Sequence, residues 1–184
     1  MVLETRSFDV VICGGGLAGL SLALQLRKEL PSLSLAIIEP NERPLPKATF
    51  KVGEAVTEAG AFYLDQLMGR PYFEANDLYK MGFRFFFGGS NADLASRPEF
   101  GLVRFPSVHS YNLDRGRLEE DMRAEVVRRG VTLLEGCKML DVGLAEPQEL
   151  HRVHYQRLSS GECGTLLARW FVDASGRRRA CAAP

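Results

Sequence analysis

Six residues near the N-terminus have the spacing of a phosphate-binding turn. The run Gly14-Gly15-Gly16-Leu17-Ala18-Gly19 satisfies the pattern G-x-G-x-x-G. In this pattern the first glycine permits a tight turn, the second lets the backbone approach a pyrophosphate, and the third lets helix and strand pack closely. A helix that opens here would direct its free N–H groups and its positive dipole end at the anion. We therefore expect a phosphate-bearing ligand to contact Gly14, Gly16, Leu17, Ala18 and Gly19.

An acidic residue follows this turn at the spacing of a ribose-binding group. Glu39 ends an apolar run 20 positions after Gly19, where a carboxylate can accept hydrogen bonds from ribose hydroxyls. The same charge would repel a 2′-phosphate and so disfavours NADP as the nucleotide. Glycine-rich turns also serve plain packing, and many glutamates at strand ends are simply solvated. The joint spacing of turn and acid favours a dinucleotide site.

The residues around the turn predict the elements that hold it. Residues 8–13 and 35–39 are short apolar runs typical of strands buried on both faces, and residues 17–30 carry apolar side chains at helical spacing. Strand, glycine turn, helix and strand within about 30 residues predict a βαβ unit over residues 8–39. Such a unit implies a parallel sheet with a right-handed crossover.

The rest of the chain continues this alternation. Residues 79–87 predict a strand with aromatic and apolar side chains on one side and Lys80 on the polar side. The other predicted elements are a helix over 57–68, a strand over 110–113, a helix over 114–130, a strand over 131–134, and a β-meander over 138–172 that ends in a buried strand over 170–173. On the wet side of the later helix we expect two i,i+4 ion pairs, Glu119 with Arg123 and Glu125 with Arg129. The pattern indicates one α/β domain over residues 1–184.

Composition and charge exclude several classes of partner. Acidic and basic residues balance at 23 each, so no broad charge attracts nucleic acid or an anionic membrane. No apolar stretch has the length of a membrane span. The cysteines show no C-x-x-C pair and no histidine at ligand spacing, so we expect no metal site and no disulfide framework. A reducing, cytoplasmic location is the default interpretation.

Three later motifs, in this order, carry a family resemblance. They are Lys51-Val52-Gly53-Glu54-Ala55, Leu113-Asp114-Arg115-Gly116-Arg117-Leu118-Glu119 and Phe171-Val172-Asp173-Ala174-Ser175-Gly176-Arg177. Together with the βαβ unit, they resemble the N-terminal half of the flavin-dependent halogenases and of related monooxygenases and geranylgeranyl-reductase-like enzymes. The resemblance implies a Rossmann-like FAD-binding domain with a parallel central sheet and a β-meander, in which residues 70–110 begin a substrate-side insertion.

The resemblance also implies roles for particular residues around FAD. Gly14, Gly16, Gly19 and Glu39 would hold the ADP half, and Gly53, Glu54 and Ala55 match a segment that runs beside the flavin. Arg115 matches an arginine that approaches the cofactor, and the turn at Asp173 matches one that passes near the nucleotide. Two plainer alternatives stay open: Arg115 as an exposed arginine near a helix start, and Asp173 as a turn-forming carboxylate that caps local N–H groups.

Lys80 resembles the active-site lysine of the halogenases. In that family, flavin chemistry oxidises chloride or bromide to hypohalous acid, and the lysine carries or hydrogen-bonds the electrophilic halogen toward the substrate. The resemblance makes Lys80 the candidate catalytic residue. The alternative is a solvated lysine on the polar side of an alternating strand.

The resemblance stops short of the whole family pattern. Family members continue into a C-terminal half with a second flavin-contacting G-D motif, which has no counterpart here. We therefore expect a chain that is truncated relative to the family and, by itself, binds FAD weakly and lacks activity. The enzyme hypothesis, an oxidoreductase acting on a small organic substrate with a separate flavin reductase, competes with a catalytically inactive nucleotide-binding fragment or remnant. An NAD-dependent dehydrogenase is disfavoured, because it would make the three later motifs a coincidence.

Overall fold

The computed structural model describes residues 5–45, 53–89, 93–101, 103–104, 108–178 and 180–181. The chain folds into two compact units. The first combines Met1–Phe50 with Arg115–Pro184, and the second is Lys51–Asp114. The second unit encloses the residues 70–110 expected as an insertion. That both units form one domain over residues 1–184 stays a prediction.

The helices and strands follow the chain in three passages. The first unit begins with β1 (Arg6–Cys13), α1 (Leu17–Glu29) and β2 (Leu35–Glu39). The second unit holds α2 (Glu58–Met68), α3 (Arg70–Asn76), β3 (Leu78–Tyr79), β4 (Arg84–Phe86), β5 (Glu99–Gly101) and β6 (Tyr111–Asn112). The chain then returns to the first unit with α4 (Arg115–Arg128), β7 (Thr132–Glu135), β8 (Cys137–Gly143), β9 (His151–Arg157) and β10 (Cys163–Asp173).

A six-stranded sheet forms the centre of the first unit. Its strand order is β7-β2-β1-β10-β9-β8. The first four strands run parallel, β9 pairs antiparallel with β10, and β8 pairs antiparallel with β9. Every residue of β2 is buried, as expected for a strand covered on both faces. The fold is α/β and Rossmann-like, with a parallel-dominant sheet extended by a β-meander, which confirms the predicted fold class.

Helix α1 packs on this sheet through small and branched side chains. Leu20, Ala23 and Leu24 are buried at helical spacing, and this apolar stripe faces the core. Arg27 lies in the last turn of the helix and donates hydrogen bonds to the carbonyls of Pro31 and Leu33 in the loop that follows. A basic side chain near the C-terminal end of a helix commonly bonds carbonyl groups in this way. The predicted helix over 17–30 is therefore confirmed to within one residue.

The second unit is organised around a buried tyrosine. Tyr111 stacks on Phe73 with ring centroids 5.1 Å apart, and its hydroxyl donates to Asp65 Oδ1 at 3.1 Å. Burial, followed by this hydrogen bond, raises the pKa of Tyr111 to about 12. Helix α2 begins where the Thr57 side chain accepts a hydrogen bond from the Gly60 N–H, so the predicted helix over 57–68 is confirmed.

The predicted strand over residues 79–87 is wrong. The structure has two short strands there, β3 and β4, which pair in two separate two-stranded sheets. Gly82 lies between them with φ of +118°, a conformation that interrupts an extended strand and that glycine adopts readily. The predicted burial is also reversed, because the apolar and aromatic side chains are exposed and Lys80 is buried. Alternation alone did not reveal which side faces the interior.

Two further differences concern strand partners. The predicted strand over 110–113 shortens to β6, which pairs with β3 and stays outside the six-stranded sheet. Residues 170–173 do not form a buried strand of their own, because they end the 11-residue strand β10, whose residues 166–173 pair with β1, and Trp170 is exposed. No helix within the described ranges is long and apolar enough to cross a membrane.

Candidate functional site

The four parallel strands end at the same edge of the sheet. This edge holds two predicted site residues, Glu39 and Asp173, each with a neighbour on the adjacent strand. Glu39 of β2 stands opposite Glu135 of β7, and Cys13 of β1 stands opposite Asp173 of β10. Strand β1 leads through the glycine turn to β2 on one side, while β10 lies on its other side. Nucleotides bind outside the carboxyl ends of strands at such a point of divergence. The geometry therefore makes this edge the candidate nucleotide site.

Two of the three pattern glycines are required by packing. Gly14 has φ of +118°, and a Cβ there would collide with the Ala174 carbonyl oxygen. A Cβ at Gly19 would collide with the Gly14 carbonyl oxygen. These contacts close the turn against the end of β10 and let α1 approach β1. The plain packing role thus explains Gly14 and Gly19 without a ligand.

Gly16 differs from both because its surroundings are open. An added Cβ would meet no atom of the described residues within 4 Å, and the backbone is extended with φ of −86° and ψ of −174°. Gly16 precedes α1 without a side-chain cap, and the first turn of the helix carries no acidic residue. The N–H groups at Leu17 and Ala18 therefore belong to an uncapped positive helix end. A pyrophosphate fits the space that a side chain at Gly16 would fill.

The Glu39 carboxylate is held in a defined orientation at this turn. Its Oε2 accepts a hydrogen bond from the Gly15 N–H at 2.7 Å. Its Oε1 accepts from the backbone and side-chain nitrogens of Asn41 at 2.9 and 2.8 Å and lies 3.4 Å from Arg123 Nη2. A carboxylate oxygen offers about two lone-pair sites, so Oε2 retains acceptor capacity while Oε1 is fully engaged. The residue is only 5% exposed.

Arg123 is a site residue that the sequence prediction missed. The expected pair of Glu119 with Arg123 on the wet side of the helix is wrong, because both side chains are buried, with Arg123 only 2% exposed. Glu119 pairs instead with Arg115, while Glu125 pairs with Arg129 as expected. A signal was present in the sequence, since Glu119 and Arg123 adjoin the apolar positions of the same helix.

Arg115 and Asp173 have local protein partners. Arg115 opens α4 with a largely buried side chain whose guanidinium contacts the Glu119 carboxylate, so the alternative of an exposed arginine is wrong. Asp173 accepts hydrogen bonds from Ser175 and from the Cys181 N–H. Burial opposes ionisation of Asp173, but these hydrogen bonds outweigh it and lower its pKa. The turn-capping geometry is present at Asp173, and its role toward a nucleotide stays a prediction.

Cys13 lies directly before the turn. It is buried, and burial together with the neighbouring Asp173 raises the pKa of its thiol to about 12. A thiol with this pKa is almost entirely protonated at neutral pH, which makes it a poor nucleophile. Cys13 therefore serves as a small buried side chain.

The remaining predicted site residues lie in the second unit. Gly53 has φ of +90°, the Glu54 carbonyl accepts from the Leu113 N–H at 2.7 Å, and Ala55 forms a bridge with Asn112. The G-E-A segment is thus tied to the chain just before α4. Lys51 and Val52, which begin the same motif, lie outside the described residues.

Lys80 is buried in the second unit and held by three contacts. Its Nζ donates to the Val56 carbonyl at 2.7 Å and lies 4.0 Å from the centroid of the Phe83 ring. Its backbone exchanges hydrogen bonds with Ser110. The residue is 8% exposed, so the alternative of a solvated lysine is wrong. Its catalytic role stays a prediction.

Comparisons with known proteins find similarity to the lycopene cyclase protein family and to flavin-dependent halogenases. A model of the lycopene cyclase protein family matches residues 9–67. The flavin-dependent halogenase chlA of Dictyostelium discoideum is 27% identical over 190 residues, which cover 92% of this chain and 31% of that protein. The chain matches the N-terminal portion of the flavin-dependent halogenases.

Solved structures of halogenases share the fold of this chain. The myxobacterial chondrochloren halogenase CndH, an FAD-dependent halogenase, superimposes with a TM-score of 0.76 at 24% identity over 96% of this chain and 39% of its own. The flavin-dependent halogenase CmlS gives a TM-score of 0.74 at 25% identity over 95% and 30% of the two chains.

A reductase-like structure shares this fold too. A geranylgeranyl bacteriochlorophyll reductase-like protein from Thermoplasma acidophilum gives a TM-score of 0.67 at 18% identity, over 98% of this chain and 44% of its own. The resemblance to halogenases and reductase-like enzymes is therefore confirmed. The chain spans less than half the length of each of these relatives. The activities of the whole proteins are therefore only proposals for this chain.

The ionised Asp173 side chain should stabilise the turn after β10. Its folded pKa lies below the ordinary value of 3.8, so its contribution is present above that value and is lost as the pH falls through the folded pKa. We expect Asp173→Asn to lower the free energy of unfolding at pH 7, with a difference from the unsubstituted chain that narrows below pH 3.8. Urea unfolding at pH 7, 5 and 3.5 measures this.

Glu149→Gln is the matched control, because Glu149 is an exposed carboxylate in the β8–β9 connection. It should leave the pH dependence unchanged. An Asp173→Asn chain whose stability differs from the unsubstituted chain by the same amount at all three pH values would contradict the assignment.

Proposed function

We propose that this chain holds the ADP half of FAD in a flavin-dependent oxidoreductase. The enzyme would be halogenase-like or monooxygenase-like and would act on a small organic substrate. The observation that carries the proposal is the open space at Gly16, which lies before an uncapped helix end and near a fixed, buried carboxylate. Packing explains Gly14 and Gly19, whereas a bound pyrophosphate explains why Gly16 also lacks a side chain.

The binding step follows from the charges and donors at this edge. The backbone of Gly16 and the N–H groups of Leu17 and Ala18 would face the pyrophosphate, and the helix dipole would favour its negative charge. Glu39 Oε2 would accept a hydrogen bond from a ribose hydroxyl. Bound FAD would supply the two-electron redox chemistry, while these residues bind and orient its nucleotide end.

Further residues would act around the rest of the cofactor. We propose, from the family resemblance, that Gly53, Glu54 and Ala55 run beside the flavin and that Arg115 approaches it. Asp173 would shape the turn near the nucleotide, since its contacts to Ser175 and Cys181 hold Ala174 against Gly14. These assignments rest on matching motifs and on the local order described above.

Lys80 is the proposed catalytic residue in the halogenase form of the hypothesis. Its Nζ keeps one carbonyl partner, Val56, and an aromatic neighbour, Phe83. An ammonium group has three N–H donors, so Lys80 could donate a further hydrogen bond to hypohalous acid and direct the electrophilic halogen toward the substrate. The rigid attachment of its backbone to Ser110 would fix the position of that donor.

We also propose a partner protein and a cellular location for this chain. A separate flavin reductase would supply reduced flavin, as the resemblance implies. The four cysteines are free thiols, two of them exposed, and exposed thiols are typical of reducing compartments. We therefore propose a cytoplasmic location.

FAD titration of the purified chain tests the nucleotide site. We expect saturable quenching of flavin fluorescence, displaced by ADP. Gly16→Ala should weaken binding about tenfold or more, which is ~1.4 kcal/mol, because its Cβ enters the space proposed for the pyrophosphate. It should change the free energy of unfolding by no more than about 1 kcal/mol.

Gly89→Ala is the matched control for this titration. An added Cβ at Gly89 also meets no atom of the described residues within 4 Å, but Gly89 lies outside the glycine turn. It should bind FAD like the unsubstituted chain. A cooperatively folded chain that binds no FAD, or a Gly16→Ala chain that binds it normally, would contradict the proposal and favour a remnant without a cofactor.

Halogenation assays test the role of Lys80. In a full-length enzyme that carries residues 1–184, Lys80→Met should reduce halogenated product at least about 100-fold, the scale expected for loss of a catalytic proton donor. Flavin reduction and reoxidation should continue at their usual rates. Lys138→Met, which removes an exposed lysine from β8, serves as the control. Halogenation that survives in Lys80→Met would disprove the assignment.

A further inference from the structure

We infer that Arg123 is a positioning residue that makes the nucleotide site prefer an unsubstituted ribose over a 2′-phosphorylated one. It would do so by fixing the Glu39 carboxylate and the Gly15 backbone together. The inference rests on the proposed ADP site, and it adds a residue from α4 that belongs to none of the family motifs in the sequence.

The Arg123 guanidinium joins α4 to three other segments at the carboxyl edge of the sheet: the glycine turn, the end of β2 with the residues just after it, and β7. Its Nε donates to the Gly15 carbonyl at 3.3 Å, and its Nη1 donates to the Asn41 carbonyl at 3.0 Å. Its Nη1 also lies 3.2 Å from Glu135 Oε1, and its Nη2 lies 3.4 Å from Glu39 Oε1. All three nitrogens are therefore engaged, and the side chain is almost fully buried.

This pair engages both backbone polar groups of Gly15. Its N–H donates to Glu39 Oε2, and its carbonyl accepts from Arg123 Nε. Arg123 and Glu39 are also in ionic contact with each other. The middle of the phosphate-binding turn and the ribose-binding carboxylate are thus parts of one closed network. A change at Arg123 should therefore act chiefly on the orientation of the Glu39 carboxylate that faces the ribose.

The orientation of the network explains a preference among nucleotides. In sites that accept a 2′-phosphate, an arginine faces the phosphate. Here the arginine contacts Glu39 Oε1 and the backbone, and burial prevents it from turning toward solvent. The ligand would meet Glu39 Oε2, which can accept from a 2′-hydroxyl and repels a phosphate.

Arginine suits this position better than lysine would. The planar guanidinium presents donors in fixed directions, whereas an ammonium is a compact point charge. The charge is also balanced locally, because Glu39 and Glu135 face Arg123, and Glu135 is paired with Arg43 at 2.9 Å. Buried ions need such partners, since an unpaired buried charge is strongly destabilising.

Competition binding with Arg123→Lys tests this inference. ADP and 2′-phosphoadenosine 5′-diphosphate would each compete with FAD for the purified chain. We expect the unsubstituted chain to prefer ADP, and Arg123→Lys to reduce ADP affinity about tenfold. The affinity for the 2′-phosphorylated ligand should change by less than about threefold, so the preference itself falls. Arg128→Lys, on the exposed side of the same helix, should leave both affinities unchanged.

A second substitution and a double mutant make the result specific to the network. Glu135→Gln removes one anchor of Arg123 and should lower the preference for ADP in the same direction by about threefold. If Arg123→Lys does not fold, the Glu135→Gln variant tests the positioning role of Arg123 in its place. In a Glu39→Gln background, Arg123→Lys should alter the preference by less than about twofold, because residues that act through one another are not additive.

Each outcome has a separate meaning. A preference that Arg123→Lys leaves intact, or a loss of thermal stability with both affinities lowered equally, would overturn the positioning role while leaving the ADP site standing. An unsubstituted chain that binds FAD and ADP but does not discriminate against the 2′-phosphate would also overturn the inference. A folded chain that binds neither nucleotide would overturn the proposed function and the inference together.

Discussion

One residue of the glycine turn, Gly15, is held between a buried acid and a buried base at the carboxyl edge of the parallel strands. Glu39 accepts from its N–H and Arg123 donates to its carbonyl. Because β2, β7 and α4 each contribute to this contact or its anchors, the shape of the glycine turn depends on all of them. Chains of such hydrogen bonds in a buried setting are strong when every member is satisfied and costly when one is missing.

The second unit contains a buried lysine beside exposed aromatic side chains. Its interior is centred on Tyr111 and Phe73, and it keeps one lysine, Lys80, buried against a carbonyl and an aromatic ring. Several phenylalanines of the same segment are exposed instead. A buried cation beside exposed aromatic groups is unusual, because ammonium groups are among the side chains least often buried. A catalytic role for Lys80, as proposed from the resemblance to the halogenases, would account for this arrangement.

The sequence predicted the first unit well because its signals are local. The glycine spacing, the fully apolar strands and the acid at position 39 depend on nearby residues, and the structure has the corresponding elements. Two predictions failed because they depended on tertiary partners. The alternation over residues 79–87 did not show that Gly82 breaks the strand or which side is buried, and Arg123 was assigned to solvent because its anchors, Gly15, Asn41 and Glu135, come from other parts of the chain.

An ADP titration followed by ¹H–¹⁵N NMR of the chain tests the central claim most directly, since it reports where the nucleotide binds. The account predicts the largest shifts at the amides of Gly16, Leu17 and Ala18, accompanied by Gly15 and Asn41, whose N–H groups donate to Glu39. A folded chain in which saturating ADP leaves these amides unchanged, or shifts a different region instead, would contradict it.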